Sequence, residues 1–519
     1  MPGCLPQPHV DFNRPIPDSA PTRLPQCLAL AALIAASTPS WAQTSAANSE
    51  PAQAVRSASV RLGFERLSLP NGEGLGLVGT SYLLQLSPNF WLGPAAYGAI
   101  TGERGGLFTV GAELAWQQTL SDRWSVLAGV YAGGGGGGAA PVGGGLMLRP
   151  HVDLLAGFGR YRAGVSWSQV RFPSGDISSS QIGLVLVADT GFASLPASAS
   201  PSRTTADGVG FDRVVGVEGI YRPSRNSTRL SGGPMERTVG YVGARFEREF
   251  SPGLFAGLEA NGAASGGAGG YAEYLATVAA ETPSMGPIKL GARLALGMGG
   301  GGDVSVGGGL LGKAAAYGSV RLTPSIRLGI EGGMARAPDG RFKAPFAAAN
   351  VIWQIDGLGR SPANAKGEAP TPVARTEWLA GVETYRAARR DGSVRTLDNV
   401  VLKANRFIAD SVYVTGQVHS AYAGGAGGYT VGLIGAGLQS PWWAGWRAGG
   451  EFVAGAGGGG GVDTQGGALL QPSVYLDRAL GPSSSVRLSV GRIESFKGRL
   501  SSTVAELSLV YSFGVTRTR

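Results

Sequence analysis

The sequence predicts an all-β chain, an antiparallel transmembrane β-barrel architecture built from three tandem copies of about eight strands. Three observations predict it. The 519 residues are 43% hydrophobic but only 15% charged, where about 25% charged is usual for a soluble domain. Glycine, at 87 residues, has more than twice its average share of roughly 7%. Such a chain is a poor helix former, because each interior glycine costs about 1 kcal/mol relative to alanine. The same landmarks also recur three times in the same order, the signature of an internal repeat.

The N-terminus is set aside first. Residues 1–42 read as a secretory signal peptide: Arg23 supplies positive charge, Cys27 to Ser37 is an apolar run, and Ser40-Trp41-Ala42 precedes a cut before Gln43. That run is too short to span a bilayer, which takes roughly 20 apolar residues. The only cysteines, Cys4 and Cys27, lie in this leader, so a mature chain would carry neither a disulfide nor a thiolate metal site. Three histidines, His9, His151 and His419, are too few for a histidine cluster, and no cofactor or metal is expected. A net charge of +9 would suit nucleic acid in a cytoplasmic protein. In an exported one it points instead to lipopolysaccharide phosphates, anionic lipid or anionic solutes, with no nucleic-acid partner.

The repeat organises the rest. Gly63-Phe64-Glu65, Gly216-Val217-Glu218 and Gly381-Val382-Glu383 open the copies. Each copy later carries a polyglycine tract, at 133–138, 299–302 and 457–461, then a shorter glycine cluster at 143–145, 307–309 and 466–467. An alternating segment centred on arginine follows, around Arg162, Arg327 and Arg487. Copies two and three share Gly-Gly-Ala-Gly-Gly-Tyr, ending at Tyr271 and Tyr429, which copy one lacks. The resulting division is repeat one at 55–192, repeat two at 211–355 and repeat three at 376–513, with a tail at 514–519. Stretches rich in Ala, Ser and Pro at 193–210 and 356–375 read as linkers.

Within a copy the period is two. Ala505, Leu507, Leu509, Tyr511 and Phe513 alternate with Val504, Glu506, Ser508, Val510 and Ser512, as in a strand with one apolar face. Ile326, Leu328 and Ile330 stand against Arg327, Gly329 and Glu331 in the same way. Segments of about 9–11 residues suffice for a tilted strand to cross a bilayer. Connections alternate between short turns, such as 86–90, 120–124 and 322–326, and longer loops rich in glycine or charge. Short turns on one rim and long loops on the other are the pattern of an outer-membrane barrel.

On these residues the chain resembles Gram-negative outer-membrane β-barrel proteins as a class. The segment Leu507 to Phe513 looks like the aromatic-ended last strand that the barrel assembly machinery of that class recognises, although six residues follow it. The resemblance implies an outer-membrane location, with outer-membrane lipid, lipopolysaccharide and the assembly machinery as partners. Eight strands can close a small barrel filled by side chains. Linkers of about 18–20 residues slightly favour three linked small barrels over one 24-stranded barrel, since strands of one sheet are usually joined by two to five residues.

The candidate lumen charges are Glu65, Glu218, Glu383, Arg162, Arg327 and Arg487. They either line a channel or pair with one another inside a narrow barrel, and pairing is preferred because an unpaired buried charge is costly. Trp442, Trp443 and Trp446 are candidate interfacial aromatics. The basic cluster of Arg389, Arg390, Arg395 and Lys403 is either a lipopolysaccharide site or a solvated loop. The polyglycine tracts lack the Lys-Ser/Thr of a phosphate-binding loop and read as sites of sharp curvature or close backbone approach. An enzyme is not expected: lipid A deacylase barrels place a His beside a Ser near the chain end, and no His follows His419. The functional expectation is therefore a non-enzymatic outer-membrane barrel protein acting as a porin-like channel or export conduit. The alternatives are a structural or surface-interaction protein displaying Gly-rich loops, and a soluble secreted β-repeat protein.

Overall fold

A backbone that alternates apolar and polar side chains can bury one face only if its N–H and C=O groups are paired on both edges, and closing the sheet into a barrel achieves this without leaving an edge. The structure, a computed structural model, describes residues 54–70, 72–196, 213–235, 238–354 and 375–515. The expected leader at 1–42 lies outside the described residues, as do most of both expected linkers and the last four residues.

Three closed barrels result, and not one wide one. The first runs β1 (Ala54–Ser68), β2 (Gly74–Gln85), β3 (Phe90–Thr101), β4 (Phe108–Thr119), β5 (Trp124–Gly136), β6 (Met147–Phe158), β7 (Tyr161–Arg171) and β8 (Ser178–Pro196). The second runs β9 (Arg213–Tyr221), β10 (Val239–Ser251), β11 (Leu254–Ala263), β12 (Ala272–Glu281), β13 (Ile288–Gly300), β14 (Leu310–Arg321), β15 (Ile326–Arg336) and β16 (Lys343–Gln354). The third runs β17 (Arg375–Ala388), β18 (Val394–Phe407), β19 (Val412–Ala423), β20 (Thr430–Gln439), β21 (Trp446–Gly458), β22 (Ala468–Ala479), β23 (Ser484–Ser495) and β24 (Ser501–Val515). In each barrel the first strand pairs with the last: Phe64 faces Leu184, Val217 faces Asn350 and Leu379 faces Val510. Strand β8 continues to Pro196, into the stretch read as linker. Its last residues extend the ladder to β24, where Phe513 faces Pro196.

The barrels pack side by side with an internal threefold repetition. The third strand of each touches the fifth strand of the next: β3 meets β13, β11 meets β21, and β19 meets β5. The outward faces of the remaining strands carry large exposed apolar side chains, among them Leu62, Val165, Leu184, Ile330, Val474 and Leu488. Aromatic side chains gather on the short-turn end of the outer surface, at Phe90, Trp116, Trp124, Phe158, Tyr161 and Phe250. The inward faces form the cores.

Candidate functional site

Two constructions are built by the inward parity and by the loops: the lumens, and the seam where the barrels meet.

Each lumen has three layers. At the loop end lies an apolar plug, made in the first barrel by Leu67, Leu75, Tyr97, Leu107, Phe172 and Ile177. In the second barrel Tyr221, Tyr241, Tyr271, Phe342 and Phe346 belong to this layer, and in the third Tyr385, Leu397, Tyr429, Ile493 and Leu500 do. At the turn end a second group closes each barrel: Leu83, Trp91, Leu127 and Leu155 in the first, Phe407, Tyr413 and Tyr475 in the third, and in the second Phe255 and Tyr317 packed with a buried cluster in which Arg213 holds Glu247 at 2.6 Å and Glu281 at 2.5 Å. Between the plugs lies a belt of paired charges, the arrangement that buried ions need if their desolvation is to be offset.

In the first barrel the Arg61 guanidinium holds Asp153 at 2.8 Å and Arg149 holds Glu65 at 2.8 Å. His151 lies between Asp153 (3.1 Å) and Glu113 (3.3 Å). In the second, Glu331 accepts from Arg245 at 2.6 Å and from Arg293, and Glu259 accepts from Arg293 at 2.5 Å and Lys313 at 3.0 Å. Lys313 also reaches Glu273, which takes hydroxyl bonds from Tyr221 and Tyr271 at 2.9 Å each. In the third, Asp477 is gripped by Arg487 at 2.8 Å and by Arg447 at 2.5 Å, and Lys403 bridges Glu506 (2.7 Å) and Glu451 (3.4 Å). His419 faces Glu383 at 3.1 Å and Gln417 at 3.2 Å.

The sequence candidates fall into this frame unevenly. Glu65, Glu383 and Arg487 lie in the charge belts. Arg162 and Arg327 point inward but sit near the turn-end rims, Arg162 donating to Asp189 at 2.5 Å and Arg327 to the Ser319 hydroxyl at 3.0 Å. Glu218 does not enter a lumen; it is exposed on the outer face of β9. The inward position that matches Glu383 in the second barrel is Gly219, since Tyr385 and Tyr221 both point inward two residues later. There the Tyr241 ring fills the space a side chain would occupy, and Glu273 on β12 supplies a carboxylate to that layer. Trp442 and Trp443 sit on the turn between β20 and β21 and Trp446 opens β21, all exposed, with the Arg447 guanidinium 4.5 Å from the Trp442 ring. The local basic cluster disperses: Lys403 is in the lumen, Arg389 donates to Gly425 O at 2.6 Å, and Arg390 donates to Gly269 O at 3.4 Å.

The seam is what sequence reasoning left open. The glycine loop of each barrel seats against the polyglycine tract of the next. Gly105 N–H donates to Gly307 O at 2.8 Å across the first and second barrels, and Phe108 stacks on Tyr274 with centroids 4.1 Å apart. Gly427 N–H donates to Gly143 O at 3.0 Å and Gly428 N–H to Gly135 O at 3.1 Å across the third and first. Three equivalent glycines show why no side chain fits. A Cβ on Gly300 would lie 2.5 Å from Gly106 N, one on Gly458 would lie 2.6 Å from Gly270 N, and one on Gly136 would lie 2.6 Å from Gly428 N. The ring is head-to-tail and closes after three steps, a heterologous interface that ends in a point group and not a filament.

Closed antiparallel barrels with apolar outer faces and polar interiors define the class to which this architecture conforms, the outer-membrane-type β-barrel. No protein-family model matches the chain, and no curated protein matches it. Among solved structures it is similar to the outer membrane protein OpdK of Pseudomonas aeruginosa, with 11% identity over 89% of this chain and 98% of that one and a TM-score of 0.23. It is similar also to OccAB3 of Acinetobacter baumannii, at 7% identity, 89% and 99% coverage and a TM-score of 0.22. A mutant form of the ferric enterobactin receptor PfeA of Pseudomonas aeruginosa matches at 9% identity, 88% and 80% coverage and a TM-score of 0.26.

Proposed function

We propose that the chain is a non-enzymatic outer-membrane protein in which three filled barrels form one threefold scaffold that presents Gly-rich loops at the cell surface. This is the structural reading weighed against the porin-like channel or export conduit, and one observation carries it. Each lumen is filled by buried ion pairs and packed apolar side chains, so an ion would have to break buried pairs and displace packed side chains to pass. His151 and His419, the two described histidines, have no exposed side-chain surface, so neither can meet a substrate from solvent.

The outer surface supports the membrane location. Its apolar band matches what lipid requires of a barrel exterior, and the aromatic side chains at the turn end, with Trp443 and Trp446, match a girdle at headgroup depth. Outer-membrane lipid, lipopolysaccharide and the barrel assembly machinery are the partners this reading implies, and the 1–42 leader is its route of export. The test has two stages. Expressing Gram-negative cells are fractionated and the outer-membrane fraction is run on gels with and without boiling; a heat-dependent mobility shift is expected. The purified chain is then placed in a planar bilayer, where electrical silence is expected. Stable single-channel steps would overturn the scaffold reading in favour of a channel, and recovery in the soluble periplasm without a shift would overturn the membrane location.

A further inference from the structure

The second barrel carries a basic cleft that neither the lumens nor the seam uses. Its strands β10, β11, β13 and β14 touch the other barrels, which leaves β15, β16 and β9 on the side turned away from them. At the loop end of that side, Arg336 on β15 is ladder-paired with Lys343 on β16. Arg225 comes from the loop after β9, whose Ser224 N–H is bonded to Lys343 O at 2.8 Å. Arg341 comes from the loop between β15 and β16. These four cations, with Asn226 and Thr228, line an open cleft of about 640 Å³.

Two features mark it out from an ordinary solvated rim. Three arginines at other loop rims have carboxylate partners, Arg104 with Glu73 at 2.6 Å, Arg492 with Glu494 at 2.5 Å and Arg499 with Asp463 at 2.5 Å, while Arg389 and Arg390 bond to carbonyl oxygens. Among the described residues Arg225, Arg336, Arg341 and Lys343 have no such partner, and all four are exposed. Like charges gathered on one cleft repel unless an anion lies among them. The wall directly below is mostly apolar, with Ile220, Leu328, Ile330, Met334 and Val351 exposed on the same three strands and the Glu218 carboxylate of β9 exposed among them. A cationic cleft on top of an apolar wall is complementary to an anionic amphiphile.

We propose that this cleft binds phosphate groups, and that the molecule carrying them is the phosphorylated glycolipid of the outer leaflet, lipopolysaccharide, with its acyl chains against the β15–β16–β9 wall. Guanidinium forks match phosphate oxygens in pairs, and phosphate is the anion they hold most specifically. The inference rests on the membrane reading for its lipid source but not for its phosphate chemistry, since free phosphate could enter the same cleft from water.

The test uses the full chain and a variant carrying R225Q, R336Q, R341Q and K343Q, all on an exposed rim, with the heat-dependent mobility shift as the check on folding. Three probes are titrated: purified lipopolysaccharide, the same material after phosphatase treatment, and inorganic pyrophosphate. Lipopolysaccharide is expected to bind the variant at least about tenfold more weakly than the native chain, as removal of several near-surface cations requires, and phosphatase treatment should give a comparable loss on the native chain. Raising salt towards 1 M, where screening acts within about 3 Å, should weaken native binding. Pyrophosphate binding as tight as that of lipopolysaccharide, and lost in the variant, would uphold the phosphate site and move its source to solution. Equal lipopolysaccharide binding by native and variant chains, or indifference to phosphatase, would overturn the proposal. A chain found soluble and without a mobility shift would remove the lipid source, and pyrophosphate titration of native and variant would then decide the site alone.

Discussion

Gly300→Ala offers the sharpest test of the seam. The added Cβ would lie 2.5 Å from both Gly106 N and Gly105 C, where ordinary contact begins at 3.4 Å, an overlap of about 0.9 Å. What it meets is backbone, anchored by the Gly105 to Gly307 hydrogen bond, so no flexible side-chain end can give way. Overpacking of this kind costs about 1–3 kcal/mol. Gly300 also has φ +146°, a conformation that costs a residue with a side chain about 1–3 kcal/mol more. The sum is about 2–6 kcal/mol; the contact part falls on the junction of the first and second barrels, and the backbone part on the last residue of β13, where Gly300 faces Ala272. With Cys4 and Cys27, the only cysteines of the sequence, replaced by Ser, spin labels on cysteines introduced at Asp122 and Thr323, in turns of the two barrels, report their separation without background. The native chain should give a narrow distance distribution and the variant a broad one, with a lowered thermal midpoint. Gly432→Ala is the control, because a Cβ there meets nothing within 4 Å. A variant distribution as narrow as the native one, or equal broadening in the control, would refute the close-approach account of the tract.

Two further substitutions probe the lumen and the outer face. Arg487→Met should destabilise the third barrel by about 3 kcal/mol, the low end for breaking a buried pair, because Asp477 keeps Arg447 and Glu451 keeps Lys403. It should stay electrically silent with Phe407, Tyr413 and Tyr475 still in place, so channel steps in a bilayer recording would show that the charges, and not the apolar plugs, seal the barrel. Glu218→Leu should raise the free energy of urea unfolding in lipid by about 1–2 kcal/mol, seen as a higher midpoint, since a carboxylate facing the bilayer is unfavourable, though less so than a basic residue. No gain would mean that this face is in water.

The strand alternation and the threefold repeat were legible because both are local or periodic. A residue's parity decides its face, and Arg487 and Leu488 declare theirs without knowledge of any neighbour. The linker lengths likewise spoke for separate closure, and the chain closes three times. Glu218 shows where reading by letters fails. Gly216-Val217-Glu218 matches Gly381-Val382-Glu383 as a string, but the strand is shifted by one relative to Tyr221, and a one-residue shift turns every side chain to the other face. Counting parity back from Tyr221 would have placed Glu218 outside. The partners inside the lumens were out of reach for a different reason. Arg61 meets Asp153 and Arg149 meets Glu65 across the barrel, and which charges meet depends on the barrel's stagger, which no single strand encodes. For the polyglycine tracts, close backbone approach was readable from the absence of Cβ atoms. That the approaching chain would be the neighbouring copy was not.

The cyclic glycine junction has a consequence for how such an assembly behaves when it is thinned out in the membrane. Barrels encoded as separate chains must find one another by diffusion, fall apart on dilution and combine at random when variants coexist. Barrels joined in one chain meet at an effective concentration of about millimolar for a short tether, whatever the expression level. Each junction can therefore be individually weak and still be occupied. Each position in the ring is also individually addressable: a change in Lys313 or His419 alters one barrel in three, every time. The fusion converts a threefold symmetric contact into a fixed-stoichiometry set of three non-identical interiors, which a homotrimer cannot provide.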